Sequence, residues 1–346
     1  MSDIAVKFPF LTEKQDFTLP ASISIEQASS QDTAEFKTSL VQAGKLFADM
    51  TGGMGIDTIF FSRKFDKAIY IERSPELCEL ARHNFSALGL NNIEVVNADS
   101  TEHIKLVPFC DTIYIDAARR SLSGGKLVSI ADCEPNILPI LDTIHSKCNT
   151  LLVKLSPMLD ITTALSELQS VKELYVVSVK NECKELLALI DNTSGNTIQT
   201  TIHCINLPFK SDFTFTQADE AECSVEQSMP LCYLYEPDTS ILKAGAFKSI
   251  GVRFNLYKLH TNSHLYTSDK LVENFPGRTF HILDCRKVHK EHFKDIPKAN
   301  LTVRNFPTPV SQIRKNLHLL EGGDLYLFAT TLMDGTKRIL VCEKTI

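Results

Sequence analysis

The sequence predicts an α/β fold in which a mostly parallel sheet of about seven strands is followed by a small α+β domain. Between residues 46 and 190, short apolar runs alternate with amphipathic stretches, as strands and crossover helices do. The 346 residues are enough for about two domains. A polar, acidic stretch at 208–230 has no clear apolar period and separates the two predicted domains.

The predicted strands of the first domain are apolar runs of strand length. The last of them follows the one before it closely enough to return antiparallel to it. The runs are LFADM (46–50), AIYIE (68–72), IEVVNA (93–98), DTIYIDA (111–117), TLLVKLS (150–156), ELYVVSV (173–179) and ELLALI (185–190).

Helices are predicted between these strands. Residues 75–89 place apolar side chains at spacings of three and four, with Pro75 tolerated in the first turn and Gly89 as the stop. The segments 133–148 and 161–170 have the same pattern, so we expect a helix in each.

The second domain is predicted to combine a short helix with strands. Residues 241–254 suit the helix, and the runs 326–332 and 338–344 flank an Asp-Gly pair, which is a strong hairpin signal. A further strand is expected at 233–237. We therefore expect an N-terminal segment that packs on the first domain (1–40), the sheet domain (41–207), a linker (208–230) and the C-terminal domain (231–346).

The charge is divided unevenly between the two parts of the chain. The net charge is −6, but residues 1–230 carry 19 Lys and Arg against 31 Asp and Glu, whereas residues 231–346 carry 17 against 11. The C-terminal part also holds six of the ten histidines. This asymmetry indicates that the C-terminal domain meets an anionic partner, although a solvated basic face would give the same pattern.

The ten cysteines are scattered and form no CxxC pair, so we expect reduced thiols rather than a disulfide framework. The N-terminus lacks the basic and apolar regions of a signal peptide, and no window is long and apolar enough for a membrane span. These features predict a soluble, cytoplasmic protein without a membrane partner. Among the six C-terminal histidines, His289 and His292 form the most tightly spaced pair, and we expect no metal site.

The sharpest local feature is the turn Asp49-Met50-Thr51-Gly52-Gly53-Met54-Gly55, which follows the first strand and opens a helix. Glycines at a helix N-terminus let backbone N–H groups approach a ligand closely. A phosphate loop would need Gly-Lys-Ser/Thr, which is missing, and a dinucleotide fingerprint would place a third glycine where Thr58 stands. Both of those ligands are disfavoured.

Two further acids end the next strands, Glu72 after the second and Asp99 after the third. The carboxyl ends of parallel strands meet at one crevice, so we expect these acids and Asp49 to face the same ligand. A nucleoside that carries an ammonium and a carboxylate fits this set, and S-adenosylmethionine is such a ligand. An NAD site or a purely structural turn remain alternatives.

The three acids can be given roles from their positions. Glu72 would bind the ribose hydroxyls, Asp99 would accept from the adenine amino group, and Asp49 would meet the methionine ammonium directly or through water. Thr51, Gly52, Gly53 and Gly55 would supply the turn that carries the cofactor.

The fourth strand ends in Asp116-Ala117-Ala118-Arg119-Arg120, at the position that faces the acceptor in methyltransferases. Enzymes that methylate exocyclic amines usually have Pro-Pro-aromatic after the acid, so the sequence here disfavours that mechanism. The end of the fifth strand, 154–157, has no cysteine for covalent catalysis. We expect the acceptor side to be lined by Asp116, Arg119, Arg120, Lys154 and Ser156, with Asp132, Glu134, Asn181 and Glu182 as weaker candidates.

Longer segments extend these motifs into a family pattern. The chain resembles a bacterial family of class I, Rossmann-like S-adenosylmethionine-dependent methyltransferases with a THUMP-like C-terminal domain. Ala117 stands where relatives usually have proline. The resemblance rests on residues 24–41, 47–65, 70–85, 115–120, 131–142, 154–161 and 181–187, and, for the C-terminal domain, 233–251, 259–269, 275–280, 303–307 and 322–331.

The resemblance implies an RNA substrate, and the basic residues of the C-terminal domain are compatible with it. Cations interleaved with aromatic rings can hold RNA by phosphate attraction and stacking, although an amphipathic helix with a buried aromatic face gives the same pattern. The candidates are Lys243, Phe247, Lys248, Arg253, Phe254, Tyr257, Lys258, Arg304, Phe306, Arg314 and Lys315.

We therefore expect methyl transfer to a base in tRNA or rRNA. The alternatives are an enzyme that methylates a small molecule or a protein, and a cofactor-binding protein without catalysis.

Overall fold

A computed structural model of the chain describes residues 7–11, 16–19, 28–119, 129–195, 199–208 and 211–345. The chain divides into two compact units, Met1–Lys210 and Ser211–Ile346. Of the expected site residues, Arg120 lies outside the described residues, as does most of the expected N-terminal segment before residue 28.

The described part of the first unit combines helices with a large sheet. Its helices are α1 (Gln31–Ser39), α2 (Ile56–Phe61), α3 (Pro75–Ala87), α4 (Ser100–His103), α5 (Leu141–His145) and α6 (Ile161–Leu168), with 3-10 turns at Pro9–Leu11, Ser62–Lys64, Ile104–Leu106, Ile130–Asp132 and Leu138–Ile140. Its strands are β1 (Gly44–Asp49), β2 (Phe65–Glu72), β3 (Ile93–Asn97), β4 (Cys110–Arg119), β5 (Cys133–Glu134), β6 (Cys148–Leu155), β7 (Val171–Val179), β8 (Glu182–Asp191) and β9 (Thr201–Leu207).

The strands of this unit follow the order β9-β7-β8-β6-β4-β1-β2-β3, and the short β5 pairs with β4. Neighbouring strands on this path are parallel except at β8, which runs antiparallel to β6 and β7. The predicted parallel sheet with a returning seventh strand is therefore confirmed. The chain order reverses between β1 and β4, so the carboxyl ends of these two strands border the crevice where ligands bind in open α/β sheets.

The helices begin and end where the sequence supplies caps. Ser74 accepts a hydrogen bond from the Leu77 N–H, Pro75 is the first residue of α3, and Gly89 follows the helix with a φ of +71°. The segment 133–148 differs from the predicted long helix because it contains Pro135 and Pro139. It forms β5, a 3-10 turn and the short α5 instead.

Apolar side chains form two clusters against the sheet. One cluster joins Phe47, Phe61 and Tyr114 to residues of β6 to β9, with the Phe47 and Phe61 rings stacked 4.5 Å apart. The other joins α2 and α3 to the N-terminal Phe8 and Leu11. These clusters hold β1 and β4 in the middle of the sheet.

The second unit has its own sheet, in the order β12-β13-β11-β14-β17-β16-β15, antiparallel except for the pair β15 and β16. Its strands are β10 (Ser211–Thr216), β11 (Tyr233–Pro237), β12 (Tyr257–Lys258), β13 (Tyr266–Ser268), β14 (Gly277–Lys287), β15 (Lys298–Arg304), β16 (Leu320–Thr331) and β17 (Lys337–Lys344). Its helices are α7 (Gln217–Glu222), α8 (Thr239–Ala244), α9 (Ser249–Arg253) and α10 (Val310–Leu317), with a 3-10 turn at Lys290–Phe293.

Two features of this unit bear on the sequence-based expectations. The hairpin between β16 and β17 turns at Asp334-Gly335, where Gly335 has a φ of +77°. The stretch 208–230, expected to be a linker, contains β10 and α7. The helix α7 begins there because Thr216 and Asp219 form a capping box.

All ten cysteines are free thiols. Among the described residues, none of the helices has the length and apolar character needed to cross a membrane. Within the same ranges, no three acidic, histidine or cysteine side chains are grouped as a metal site requires.

Candidate active site

The glycine turn between β1 and α2 is shaped by an aromatic ring beneath it. A Cβ at Gly52 would lie 2.2 Å from the ring of Tyr70, so only glycine fits there. The Tyr70 hydroxyl donates to the Gly53 carbonyl at 2.6 Å. Gly53 and Gly55 have φ of +53° and +76°, which L side chains rarely adopt. The ring and hydroxyl of Tyr70 therefore restrict the turn to one conformation.

Asp49 ends β1 and is buried under this turn, 1% exposed. Its carboxylate accepts from the Thr51 N–H at 3.0 Å and from the Thr58 hydroxyl at 2.6 Å. Burial outweighs these bonds and raises the pKa of Asp49 to about 7. A cation placed beside it would stabilise its charged form.

Glu72 and Asp99 lie at the ends of the next two strands. Glu72 accepts from the Gly53 N–H at 3.0 Å and from the Ser74 N–H at 2.8 Å, so it ties the turn to β2. Asp99 caps α4 by accepting from the Thr101 N–H and hydroxyl at 2.8 and 2.6 Å. The Thr101 hydroxyl is the main cause of the lowered pKa of Asp99, which keeps that carboxyl ionised.

A cavity of about 820 Å³ lies in front of these residues. This volume is within the range of small-molecule and cofactor sites. A second cavity of about 110 Å³ adjoins it at Thr51, Gly53 and Asp116, and Asp49 and Asp57 line it as well. The larger cavity is lined by Met50, Thr51, Gly53, Ile71, Glu72, Arg73, Leu77, Ala98, Asp99, Ser100, Thr101, Asp116, Ala118, Glu134, Pro135, Asn136, Pro139 and Ile140.

Asp116 lines both cavities and forms an ion pair with Lys154, which lines neither. They are in register on the adjacent strands β4 and β6, and the Lys154 Nζ lies 2.5 Å from Asp116 Oδ2. Burial alone would disfavour the charge of Lys154, but Asp116, Glu185 and Asp57 raise its pKa above the ordinary range. The Asp116 N–H donates to the Thr51 hydroxyl at 2.7 Å, which joins the pair to the glycine turn.

Other expected acceptor-side residues lie less centrally. The backbone of Arg119 pairs with Cys133 in β5. Ser156 is in the turn after β6, accepts from the Met158 N–H at 3.2 Å and does not line either cavity. Glu134 does line the larger cavity and forms an ion pair with Arg73.

The remaining weaker candidates are tied into local structure. Asp132 caps a 3-10 turn by accepting from the Ser129 N–H. Asn181 and Glu182 lie at the tight turn between β7 and β8, where Glu182 pairs with Lys184.

Sequence reasoning missed a buried charged group next to the glycine turn. Lys37 of α1 is 0% exposed, and its Nζ lies 2.9 Å from Asp57 Oδ1 and 3.4 Å from Glu185 Oε2. The hydroxyls of Ser29 and Tyr114 donate to Asp57 Oδ2 at 2.8 and 2.9 Å. We call Ser29, Lys37, Asp57, Tyr114 and Glu185 the buried ionic network.

The pKa values of the two carboxylates in this network are shifted in opposite directions. Burial works against the charge of Asp57, but Lys37 and Lys154 lower its pKa below the ordinary value. Burial dominates at Glu185 and raises its pKa despite the same two lysines. Glu185 Oε1 is buried and has no hydrogen-bond partner. The only sequence signal for the network was a lone lysine within a short polar helix, which usually indicates solvent exposure.

The expected RNA-binding residues of the second unit are mostly engaged within the unit. Lys258 is buried, and its Nζ donates to the Thr261 carbonyl. Phe247 stacks on His264, Phe254 packs against Phe275, and Arg253 lies over Phe213. Lys248 donates to the Ala221 carbonyl, and Arg314 donates to the Leu320 carbonyl. Tyr257 and Lys315 are exposed.

Family models match most of the chain. The model of the protein-L-isoaspartate(D-aspartate) O-methyltransferases matches residues 10–142. A ferredoxin-like domain model matches residues 233–276, and a THUMP domain-like model matches residues 277–344.

Similar proteins cover nearly the whole chain. The crystal structure of a candidate methyltransferase from Porphyromonas gingivalis W83 is 36% identical, with a TM-score of 0.90 over 99% of this chain and 88% of that one. Two proteins described as uncharacterised S-adenosylmethionine-dependent methyltransferases, from two strains of Mycobacterium tuberculosis, are each 22% identical over 319 residues. That alignment covers 90% of this chain and 84% of each of theirs.

Proposed function

Because the chain belongs to the bacterial class I S-adenosylmethionine-dependent methyltransferases with a THUMP-like C-terminal domain, we propose that it methylates a base of tRNA or rRNA. The observation that carries this proposal is the cavity that Glu72, Asp99 and Asp116 share at the carboxyl ends of their strands. The acids proposed to bind the cofactor thus border the same space as Asp116, the acid proposed to face the acceptor.

The residues around the cavity fit the cofactor. S-adenosylmethionine supplies an electrophilic methyl group on a sulfonium sulfur. Glu72 would bind the ribose hydroxyls and Asp99 the adenine amino group, since both carboxylates line the larger cavity. Asp49 lines the smaller cavity, where its charged form would stabilise the methionine ammonium. Thr51, Gly52, Gly53 and Gly55 would hold the turn against the cofactor.

Asp116 and Lys154 would orient the acceptor. Lys154 fixes the Asp116 carboxylate from one side, and the Thr51 hydroxyl fixes its backbone from the other. The carboxylate would accept a hydrogen bond from the nucleophile, or its departing proton, and align it with the methyl group. Alignment of this kind in a preorganised charged site accounts for much of the rate that an enzyme needs. Arg119, Arg120 and Ser156 are proposed to contact the acceptor as well.

The RNA acceptor is supported by the second unit. The THUMP domain-like match covers residues 277–344, and the resemblance to THUMP modules implies an RNA partner. Residues 231–346 carry six more basic than acidic side chains, which favours a polyanion.

A protein acceptor is the second candidate, because the isoaspartate methyltransferase model matches residues 10–142. That match ends before β6, so Lys154 and the whole second unit lie outside it. It therefore supports the cofactor-binding half of the site more than the choice of acceptor.

The test is transfer of an isotopically labelled methyl group from S-adenosylmethionine to unmodified cellular RNA, followed by nucleoside mass spectrometry. We expect one labelled nucleoside, and none with the Asp116→Asn variant. Parallel reactions with a cellular protein extract address the second candidate. Label in protein but not in RNA would overturn the RNA acceptor, whereas cofactor binding without any label would indicate a protein without catalysis.

A further inference from the structure

Two arginines in the second unit share one buried carboxylate. Glu236 at the end of β11 is 2% exposed. Its Oε2 accepts from Nε of Arg278 at 2.8 Å and also contacts Nη2 of that arginine. Its Oε1 lies 3.1 Å from Nε and 2.9 Å from Nη2 of Arg304. Each guanidinium therefore gives one edge to one oxygen of the same carboxylate.

Both guanidiniums keep groups available for a further partner. Each arginine side chain is 36% exposed, whereas the carboxylate between them is closed off from solvent. A guanidinium has five N–H donors in a rigid plane, and the Nε and Nη2 edge uses only part of them. The Nη1 ends of Arg278 and Arg304 can therefore bind a second acceptor without breaking the contacts to Glu236.

The surroundings of this pair carry a surplus of positive charge. Lys258 is buried and its Nζ donates to the Thr261 carbonyl at 2.7 Å. Burial lowers the pKa of Lys258, and Lys248 lowers it further, against the opposing charge of Glu220. The pKa of His264 is lowered to about 4, mainly by burial and further by the positive charges of Lys258 and Arg304. No acidic group is among the causes of this shift. An anion at this place would be stabilised.

We propose that Arg278 and Arg304, clamped by Glu236, bind a phosphate group of the RNA backbone. The proposal rests on the RNA acceptor proposed above. Arginine forks match the geometry of phosphate oxygens, and fixing two forks in advance removes much of the side-chain entropy that binding would otherwise cost. The strands place these residues together from three positions in the chain, at β11, β14 and β15.

The alternative is that the triad has a structural role only, although a buried Arg–Glu–Arg group is by itself weak evidence for stabilisation. RNA binding separates the two roles. Phosphate contacts are sequence-independent, so a fluorescently labelled single-stranded RNA of mixed sequence is a sufficient probe for the full-length protein. Binding is measured by fluorescence anisotropy over a series of salt concentrations.

Arg278→Gln and Arg304→Gln are each expected to weaken RNA binding about 5-fold at moderate salt. The salt slope, which is the slope of the logarithm of the binding constant against the logarithm of the salt concentration, should become less steep by about 0.7, the value for one phosphate contact on a single strand. The matched control is Arg286→Gln. Arg286 is also paired with two acids, Asp284 and Asp295, and its removal should leave affinity and slope unchanged.

Arg278→Lys keeps the charge and guards against a variant that fails to fold. It should retain the wild-type salt slope but bind RNA about 3-fold more weakly, because an ammonium cannot serve Glu236 and a phosphate as a fork does. Wild-type affinity and slope in all three variants at Arg278 and Arg304 would overturn the site while leaving the RNA acceptor intact. A wild-type protein that neither binds nor methylates RNA would overturn both proposals.

Discussion

Asp49 and Asp116 lie on the neighbouring strands β1 and β4 but have opposite surroundings. Asp49 is buried beneath the glycine turn, and its hydrogen-bond donors among the described residues are neutral: the Thr51 N–H and the hydroxyls of Thr51 and Thr58. Asp116 borders both cavities and is paired with Lys154. Asp49 is thus suited to respond to a cationic ligand, whereas Asp116 is held by Lys154 in a fixed position beside the cavities.

The Asp116→Asn variant is expected to lose about 100-fold or more in methyl transfer, because the neutral amide cannot stabilise the nucleophile or take its proton. Its affinity for S-adenosylmethionine should change little, which calorimetric titration checks. Asp191→Asn is the matched control, since Asp191 is also paired with a lysine, Lys172, but lies away from the cavities. Loss of cofactor binding rather than of transfer in Asp116→Asn would contradict the assigned role.

The Asp49→Asn variant tests the buried carboxyl through pH. The pKa of Asp49 is raised by burial from 3.8 to about 7, so the folded state binds this proton more tightly than the unfolded state does. The contribution of Asp49 to stability therefore falls as the pH rises from about 4 to 7. Across that window, the free energy of unfolding of the cofactor-free Asn variant should rise by up to about 4 kcal/mol relative to that of the wild type.

Urea denaturation of both proteins at pH 4.5 and pH 8 measures this difference. The same variant should bind S-adenosylmethionine about 10- to 100-fold more weakly at pH 8, since it lacks the charge that meets the ammonium. A stability difference that is independent of pH, or an unchanged cofactor affinity, would contradict the role of Asp49.

At the scale of elements, the glycine turn depends on β2 below it. Gly52→Ala would drive a methyl group into the Tyr70 ring and should cost about 1–3 kcal/mol in unfolding free energy, together with most of the cofactor affinity. Gly195→Ala is the control, because no atom lies within 4 Å of its added Cβ. Thermal unfolding and calorimetric titration of the two variants provide the test. Equal stability and equal cofactor affinity in the two variants would mean that the turn can accommodate the added methyl group.

The buried ionic network joins α1, α2, β4 and β8 next to the same turn. Lys37→Met removes the ammonium group that forms ion pairs with both Asp57 and Glu185. This change should lower the free energy of unfolding by about 3–5 kcal/mol. The loss should be greater at pH 8 than at pH 5, because the unpaired carboxyls can be protonated at the lower pH. Lys172→Met removes an exposed pair and should cost less than about 1 kcal/mol. Equal losses in the two variants, measured by urea denaturation, would show that the network contributes no more than a surface pair.

At the scale of the whole molecule, the ten free thiols predict how the protein responds to oxidation. Cys232 and Cys285 are exposed, Cys183 and Cys223 are half-buried, and the other six are buried in the two units. A thiol-specific reagent should therefore modify Cys232 and Cys285 first in the native protein and the buried six only on unfolding. The melting temperature should not depend on reductant. A lower melting temperature after reduction would reveal a disulfide.

The two units also differ in how well the sequence predicted them. Apolar runs and glycine and proline positions in the first unit located β1 to β4 and β6 to β8, because strands and helices have distinct local periods. Strand β9 was not foreseen, and the predicted helix at 133–148 was broken by two prolines. In the second unit, alternating cations and rings indicated an RNA surface. Phe247 and Lys258 are instead engaged within the unit, and charge patterning alone does not distinguish these outcomes.

The sequence by itself determined the sheet, the glycine turn and the acids at the strand ends, because each is encoded within a short segment and parallel strands bring their carboxyl ends to one edge. Tertiary structure alone decided the pairing of Lys154 with Asp116, of Lys37 with Glu185, and of Arg304 with Glu236, which are 38, 148 and 68 residues apart in the chain. The charge state of such groups depends on what covers them and which cation lies beside them, and only the folded chain sets that desolvation.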